Sequence, residues 1–270
     1  MARDHKPSLR RARNRATRRA RNRASHRVRT LSAAAAATAA LTLGTTVLLT
    51  GPARAASAPR GHDVSGHQKN VDWRKARKKG ATFVYVKATE SHTYRNPYFS
   101  QQYNGSRAAD IKRGAYHFAL PHQSSGRVQA AHFVRNGGGW RNDGKTLPPA
   151  VDLENNPYKK INKKNKCYGL TPAQMRRWIA SFSDEVRRRT GRRPVIYTTT
   201  LWWNDCTGRS TAFGRNHALW LARYSTSPGP LPAGWSYWTI WQFDNGRGSL
   251  PGDQNLFNGS HGRLSAFTRR

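Results

Sequence analysis

The chain has 270 residues, of which 48 are Lys or Arg and 13 are Asp or Glu, giving a formal net charge of +35. The length is enough for one large domain or two small ones. This charge goes far beyond what solubility needs and indicates an anionic partner. The basic residues are scattered and match no nucleic-acid-binding motif, so we do not expect nucleic acid to be that partner.

The first 58 residues have the pattern of an export signal. Residues 1–30 are rich in arginine, residues 31–50 are apolar and uncharged, and small residues occupy most of 53–58. A basic region, an apolar run and a small-residue cleavage site together indicate a secretory signal peptide. An uncleaved membrane anchor and a twin-arginine signal at Arg18 and Arg19 are the alternatives. We therefore expect residues 1–58 to be removed and residues 59–270 to form a single secreted, extracellular domain.

The part that follows the signal remains basic. Residues 1–58 hold 13 basic residues and one acidic residue, which leaves a net charge of +23 for residues 59–270. Outside a cell, anionic cell-wall polymers fit this charge better than chromosomes do. We expect charge attraction to such polymers, and we expect a monomer.

Cysteine usage agrees with export. Cys167 and Cys206 are the only cysteines, and an even pair in a secreted chain suggests one disulfide. The chain has no C-x-x-C or H-E-x-x-H pattern, so we expect no metal site and no cofactor.

Short apolar runs alternate with helical patterns along the rest of the chain. We predict strands at 61–65, 81–88, 114–119, 150–154, 195–199, 218–222, 237–242 and 253–257. We predict helices at 71–79, 96–111, 124–135 and 171–190, and an exposed basic loop at 159–166. Helix 171–190 is the clearest, because Thr171 is a good N-cap and Pro172 suits the first helical position.

The order of these elements predicts an α/β fold. Repeated strand–helix units imply parallel strands with crossover helices. About eight strands in so short a domain predict an irregular (β/α) barrel with fewer helices than a full TIM barrel. A doubly wound open sheet is the alternative, but no glycine-rich phosphate loop follows the first strand.

Asp152 and Glu154 are the most informative residues. They lie two residues apart in a predicted strand, so their side chains leave it on the same face. Two carboxylates so close do not both ionise easily, and one should hold its proton to a higher pH. A proton donor beside an anion is what cleavage of a glycosidic bond requires. The alternative is a strand end whose acids cap neighbouring loops.

Other acids also fall near predicted strand ends, where the functional groups of α/β barrels collect. Asp63 ends the first strand, Glu90 follows the second, and Asp253 lies near the last. Acids clustered in so basic a protein indicate a function. The alternatives are that Asp63 caps a turn and that Glu90 pairs with Lys87.

Aromatic residues suggest a sugar ligand. Tyr116 and Phe118 end a predicted strand together with His117. The last third of the chain holds six tryptophans: Trp202, Trp203, Trp220, Trp235, Trp238 and Trp241. Aromatic faces line mostly apolar pockets and can stack on sugar rings. For any single tryptophan, a place in the core is the alternative.

Seven short motifs carry a resemblance to a known family. In order they are GHDVSGHQ (61–68), YVKATE (85–90), RGAYHF (113–118), DLE (152–154), PVIYTT (194–199), WTIWQ (238–242) and DQNLFNG (253–259). Together they resemble the family 25 glycoside hydrolases, the Chalaropsis-type lysozymes secreted by actinomycetes. The resemblance covers nearly all of residues 61–267. Ser91 stands where relatives usually have glycine, and 159–166 resembles a basic insertion.

The resemblance implies a function and a set of roles. It implies an acidic groove that hydrolyses the β-1,4 bond between N-acetylmuramic acid and N-acetylglucosamine in peptidoglycan. By position, Glu154 matches the general acid, and Asp152 matches the acid that stabilises positive charge or orients the acetamido group. Asp63 and Asp253 match the other two acids of the groove. Cys167 and Cys206 match a disulfide of similar enzymes.

Further side chains are expected to contact the substrate. They are Glu90, Tyr116, Phe118, Tyr197, Trp220, Trp241 and Gln242. Two other functions remain open: another β-glycosidase such as a chitinase, and a wall-binding or nucleic-acid-binding protein without catalysis. Family 18 chitinases also end a signature in D-x-E, but with more aspartates just before it, whereas residues 147–151 here are LPPAV.

Overall fold

The computed structural model describes residues 57–269. Residues 1–56 of the predicted signal peptide lie outside the described residues. The strands are β1 (Arg60–Val64), β2 (Phe83–Glu90), β3 (Tyr94–Arg95), β4 (Lys112–Phe118), β5 (Ala150–Asp152), β6 (Val195–Thr198), β7 (Leu219–Ala222), β8 (Ile240–Asp244) and β9 (Asp253–Phe257). The helices are α1 (Trp73–Lys78), α2 (Phe99–Ala108), α3 (Gly126–Arg135), α4 (Lys159–Asn162), α5 (Pro172–Thr190), α6 (Thr200–Thr207) and α7 (His261–Phe267).

Eight strands close into a barrel. Their order is β1-β9-β8-β7-β6-β5-β4-β2, and β1 pairs with β2 to complete the ring. Only β9 runs antiparallel to its two barrel neighbours, and the remaining neighbour pairs of the ring are parallel. The short β3 forms a hairpin on β2 outside the ring. The predicted irregular barrel is confirmed, and the open sheet was the wrong alternative.

Alternation along the strands divides the core into two layers. On β6, Val195 and Tyr197 belong to the cluster that fills the barrel, whereas Ile196 belongs to the cluster between strands and helices. This is the two-residue period of a strand that is buried on both faces. Strands of this kind lose the simple polar–apolar alternation, which is why their sequence is a continuous apolar run.

Helix α5 is the main helix of the outer layer. Thr171 caps it by accepting from the backbone N–H of Gln174, whose side chain in turn accepts from the Thr171 N–H. Gly191 ends it in a left-handed conformation. Gly126 brings the start of α3 close to α5, because an added Cβ there would clash with the backbone carbonyl of Trp178.

Some predicted boundaries were wrong. The strand predicted at 150–154 ends at Asp152, and the strand predicted at 237–242 begins only at Ile240. Helices α6 and α7 were not predicted, because each is short and α7 buries a single side chain, Leu264. The predicted loop 159–166 contains the one-turn helix α4. Among residues 57–269, no helix is both long and apolar enough to cross a membrane.

The predicted disulfide is present. Cys167 and Cys206 are bonded across 39 residues, with their Cα atoms 5.3 Å apart. The bond ties the segment before α5 to the end of α6, and Cys206 is buried in the outer core. The loop that leaves the mouth of the barrel after β5 is therefore anchored covalently at its far end.

Candidate active site

Four carboxylates converge at one end of the barrel. They line a cavity of about 240 Å³ at the carboxyl ends of the parallel strands. Asp63 is near the end of β1, Asp152 ends β5, and Glu154 follows two residues later. Asp253 begins its strand, but it reaches the same mouth because β9 is antiparallel to its neighbours. The structure thus brings together the four acids that the sequence analysis named as catalytic.

Gln242 bridges two of these acids. Its Nε2 donates to Oδ2 of Asp63 at 2.9 Å and to Oδ2 of Asp253 at 3.2 Å. Its Oε1 accepts from the hydroxyls of Tyr197 at 2.8 Å and Tyr224 at 3.1 Å. Because the two tyrosines occupy the amide oxygen, the amide nitrogen is held toward the carboxylates.

Asn255 supports Asp63 from the adjacent strand. Its Nδ2 donates to Oδ2 of Asp63 at 2.7 Å, while its Oδ1 accepts from the indole N–H of Trp220 at 2.7 Å. Trp220 is fixed in turn by stacking on Tyr85 and by an edge contact with Tyr197. The wall of the cavity beneath Asp63 is therefore a fully hydrogen-bonded aromatic and amide layer.

Burial dominates the electrostatics of the site. Burial, together with the charge of Asp253, raises the pKa of Asp63 to about 8, although hydrogen bonds from Asn255 and Gln242 oppose the shift. Burial also raises the pKa of Glu154 to about 7, against the nearby ammonium of Lys87, which lowers it. A proton is therefore retained in this cluster at neutral pH.

In the Asp152–Glu154 pair, the charge of one acid raises the pKa of the other, as the close spacing predicts, and the acid affected is Asp152. Burial is the main cause of the raised pKa of Glu154, and the carboxylate that adds to it is Asp253 rather than Asp152. The charge of Glu154 acts on Asp152, whose pKa is raised well above its usual range by burial and by that charge. Asp152 Oδ1 is buried and has no hydrogen-bond partner among the described residues. That oxygen is therefore available to a bound group.

Lys87 is the positive charge of the cavity. Its Nζ donates to Oε2 of Glu90 at 2.6 Å and lies 4.6 Å from the centroid of the Phe118 ring. The hydroxyl of Tyr158 donates to the other oxygen of Glu90 at 2.6 Å. Glu90 thus pairs with Lys87, as the alternative reading held, and lies beside the cavity rather than in its wall. Its contact with substrate stays a prediction.

The side chains predicted to contact the substrate divide into two groups. The cavity wall includes Tyr116, Phe118, Tyr197, Trp220 and Gln242. Trp241 points away from it, because it alternates with Gln242 along β8, and its indole N–H donates to the backbone carbonyl of Arg223 at 2.9 Å. Its contact with substrate likewise stays a prediction. For the remaining tryptophans the core alternative holds: Trp202, Trp203 and Trp235 are buried and Trp238 packs against the same outer cluster.

Several residues of the site were not named as functional from the sequence. They are Lys87, Tyr224 and Asn255, together with Val64, Ser65, His67 and Gln68 of the cavity wall. Asn255 lies two residues after Asp253 in a strand, so the two-residue period signals that it shares a face with that acid. Lys87 is a charged residue inside an otherwise apolar strand, which is also a signal. Tyr224 follows the end of β7 and has no such signal. Within residues 57–269, no group of three or more His, Cys, Asp or Glu side chains could hold a metal ion.

Comparison with known proteins identifies the family. Residues 62–253 match the glycosyl hydrolases family 25. The chain belongs to this family. It is 45% identical over 215 residues to the N,O-diacetylmuramidase of Arthroderma benhamiae, covering 79% of this chain and 88% of the relative. It is 44% identical to lysozyme M1 of Streptomyces globisporus, covering 78% of this chain and 71% of the relative.

The same fold is found in a solved structure. The muramidase from Acremonium alcalophilum is 47% identical, with a TM-score of 0.74 over 78% of this chain and 98% of that structure. The family resemblance carried by the seven motifs is therefore confirmed.

Proposed function

We propose that this chain is a secreted lysozyme that hydrolyses the β-1,4 bond between N-acetylmuramic acid and N-acetylglucosamine in bacterial peptidoglycan. The observation that carries the proposal is the convergence of four carboxylates on one cavity in a family 25 protein, with the pKa of Glu154 raised to about 7. The names of the relatives as lysozyme and muramidases support the substrate.

Glu154 is the general acid of the proposed mechanism. Cleavage needs a proton on the leaving oxygen, and a carboxyl with a pKa near 7 holds that proton at neutral pH and still gives it up readily. Glu154 is partly exposed in the cavity, so it can reach a bound glycosidic oxygen. Proton donation of this kind is worth about 10²–10⁴-fold in rate.

The other three acids line the site where the charge of the transition state develops, and those that are ionised act on it. That state resembles an oxocarbenium cation, so anions held in a buried cavity favour it over the neutral substrate. Asp152 is nearest to Glu154 in sequence and has a buried oxygen free to accept a hydrogen bond. It stabilises the positive charge or orients the acetamido group. Asp63, whose pKa of about 8 leaves it mostly protonated at neutral pH, and Asp253 complete the acidic wall and are bridged by Gln242.

The aromatic side chains of the cavity wall bind the sugar. Tyr116, Tyr197 and Trp220 line the cavity together with Phe118, and their faces suit the apolar faces of sugar rings. Because Trp220 and Tyr197 are fixed by hydrogen bonds, little side-chain freedom is lost when a glycan binds.

Export and wall attraction complete the proposal. The signal peptide at 1–58 sends the domain of 59–270 outside the cell, where the Cys167–Cys206 bond is stable. The net charge of +23 on that domain then draws the monomeric enzyme to anionic wall polymers. Activity on whole walls should therefore fall more steeply with salt than activity on soluble fragments. An equal salt dependence would contradict the attraction.

The deciding experiment measures reducing ends released from purified peptidoglycan by the full-length protein, with mass spectrometry of the products. We expect fragments that end in reducing N-acetylmuramic acid, and a loss of about 10²–10⁴-fold for Glu154→Gln. Asp205→Asn, which removes a half-exposed acid paired with Lys166, is the matched control and should remain active. Release from chitin instead would support a chitinase, and wall binding without release would support a non-catalytic protein.

A further inference from the structure

A second concave surface lies at the opposite end of the barrel. Two cavities of about 440 and 450 Å³ lie side by side there and share Ala218 and Phe267 as lining residues. We call the two together the floor groove. Its wall includes Val195, the first residue of β6, and Thr239, just before β8. Because the parallel strands begin at the floor groove and end at the carboxylates, the two sites are on opposite ends of the molecule.

The floor groove is lined by cations without partners. Arg187, Arg192, Arg215 and Arg263 line it, and none of them forms a salt bridge with an acid of the described residues. No Asp or Glu of residues 57–269 is in its wall. A fifth arginine, Arg193, pairs with Asp184 at 3.2 Å.

Cations just outside the floor groove, on the same helix, do have partners. On α5, Arg188 and Arg189 converge on Glu185, and Arg127 approaches the same carboxylate from α3. Arg187, one residue away, instead faces the groove. The last three arginines of α5 are therefore divided between an ion-pair network around Glu185 and a surface that offers only positive charge.

Arg192 is the most enclosed of the unpaired cations. Its side chain is partly buried, and its guanidinium lies 4.9 Å from the centroid of the Trp140 ring. Burial lowers the pKa of Arg192, and no carboxylate of the described residues lies close enough to offset the water that its guanidinium has lost. The planar fork of a guanidinium matches the geometry of a phosphate or carboxylate.

The other half of the floor groove is aromatic. Tyr237 is 65% exposed, and Trp238 and Phe267 are partly buried beside it. Asn258 adds an exposed side-chain amide to this wall, and its Nδ2 donates to the backbone carbonyl of Trp238 at 2.8 Å. Exposed aromatic faces beside arginines fit a ligand that alternates apolar ring or polyol faces with anionic groups.

We propose that the floor groove is a second polymer-binding site, which holds an anionic wall polymer whose repeat carries a phosphodiester beside a sugar or polyol unit. The inference rests in part on the proposed secretion to a cell wall. Such a site at the far end of the barrel leaves the carboxylate cavity open to glycan strands. It raises the local concentration of the enzyme on the wall without taking part in cleavage.

The test is calorimetric binding of a purified glycerol-phosphate polymer to the full-length protein. The groove variant carries Arg187→Gln, Arg192→Gln, Arg215→Gln and Arg263→Gln. The matched control removes four exposed charges outside the groove: Arg74→Gln, Lys75→Gln, Lys78→Gln and Arg209→Gln. We expect the polymer Kd to rise about tenfold or more in the groove variant and less than threefold in the control. Hydrolysis of soluble glycan fragments should stay within twofold in both.

Further arms separate the alternatives. Tyr237→Ala, which is far less prone to misfold than a fourfold variant, should weaken the polymer and leave binding of inorganic phosphate unchanged. Equal weakening in the groove and control variants would mean diffuse charge attraction and would overturn the site. If the protein bound single-stranded DNA more tightly than the polymer, the assignment of a wall polymer as the ligand of the floor groove would be wrong. Absence of hydrolysis by the wild type, with selective polymer loss in the groove variant, would contradict the lysozyme function but support the groove.

Discussion

Asp63 and Asp253 are paired residues of β1 and β9, and the antiparallel direction of β9 is what puts them side by side. The two acids are far apart in the sequence, near the beginning and the end of the domain. Gln242 from β8 donates to both. Closing the barrel between its first and last strands therefore also assembles half of the carboxylate cluster. The pairing of β1 with β9 that closes the barrel is thus the same contact that places these two acids together.

The pH dependence of hydrolysis should follow the pKa of Glu154. The donor must be protonated, and its pKa is raised to about 7. We expect kcat to fall about tenfold per unit as pH rises above about 7. The measurement is initial rates on soluble glycan from pH 4 to 9. A rate that is flat to pH 9 would exclude Glu154 as the donor.

Lys87 should set the position of that alkaline limb. Its ammonium lowers the pKa of both Glu154 and Asp152. We expect Lys87→Met to move the limb upward by about one unit, because the opposing positive charge is lost. Glu90→Gln removes the carboxylate that pairs with Lys87, so it should move the limb downward. Shifts of the same sign in both variants would refute this role, whatever their effect on kcat.

Asp63 should make the protein less stable as the solution becomes alkaline. Its pKa is about 8 in the folded state, against about 3.9 for an unfolded chain. The folded state therefore binds the proton more tightly, and stability is lost as pH rises from about 4 to about 8. We expect Tm to drop by several degrees between pH 5 and pH 8.

The variant Asp63→Asn should reduce that drop in Tm, since an amide does not titrate and its oxygen can still accept from Asn255. Differential scanning calorimetry at the two pH values measures it. Asp205→Asn serves as the control and should keep the full drop. An unchanged drop in Asp63→Asn would show that other groups carry the pH dependence.

The disulfide should contribute substantially to stability. A bond that closes 39 residues removes enough freedom from the unfolded chain to stabilise the fold by about 4 kcal/mol. We expect the double variant Cys167→Ala and Cys206→Ala to lose about that much in urea denaturation, with the secondary structure retained. A loss below about 1 kcal/mol would mean that packing of α6 alone holds this region.

Much of the fold was predictable because its strands and longer helices have strong local signals. The apolar run at β2 and the capped, striped helix α5 were predicted within two residues of their observed ends. Helices α6 and α7 were missed, because tertiary packing holds them: α6 buries Trp202 and Trp203 and carries the disulfide. Short helices have little intrinsic stability in water, so their sequences need not show a pattern.

The four acids of the candidate site were predictable, but its other members and its electrostatics were predictable only in part. The spacing of Asp152 and Glu154 indicated a pair on one side of the chain, and both line the cavity. The charges that act on Glu154 are those of Asp253 and Lys87, which lie on strands far from Glu154 in the sequence. Burial, the largest cause, is a property of the closed barrel and of no single segment.

By itself, the sequence predicted the strands in chain order, the family resemblance, the disulfide partners and the four acids, because these depend on local periodicity, on short motifs and on residue identity. Only the tertiary structure decided that β9 reverses direction, that Trp241 faces away from the cavity, and that Lys87 joins the acids. Those outcomes depend on how the ring of strands closes, which follows from contacts between segments far apart in the chain. The same closure created the floor groove, whose arginines come from α5, α7 and the strand connections between them.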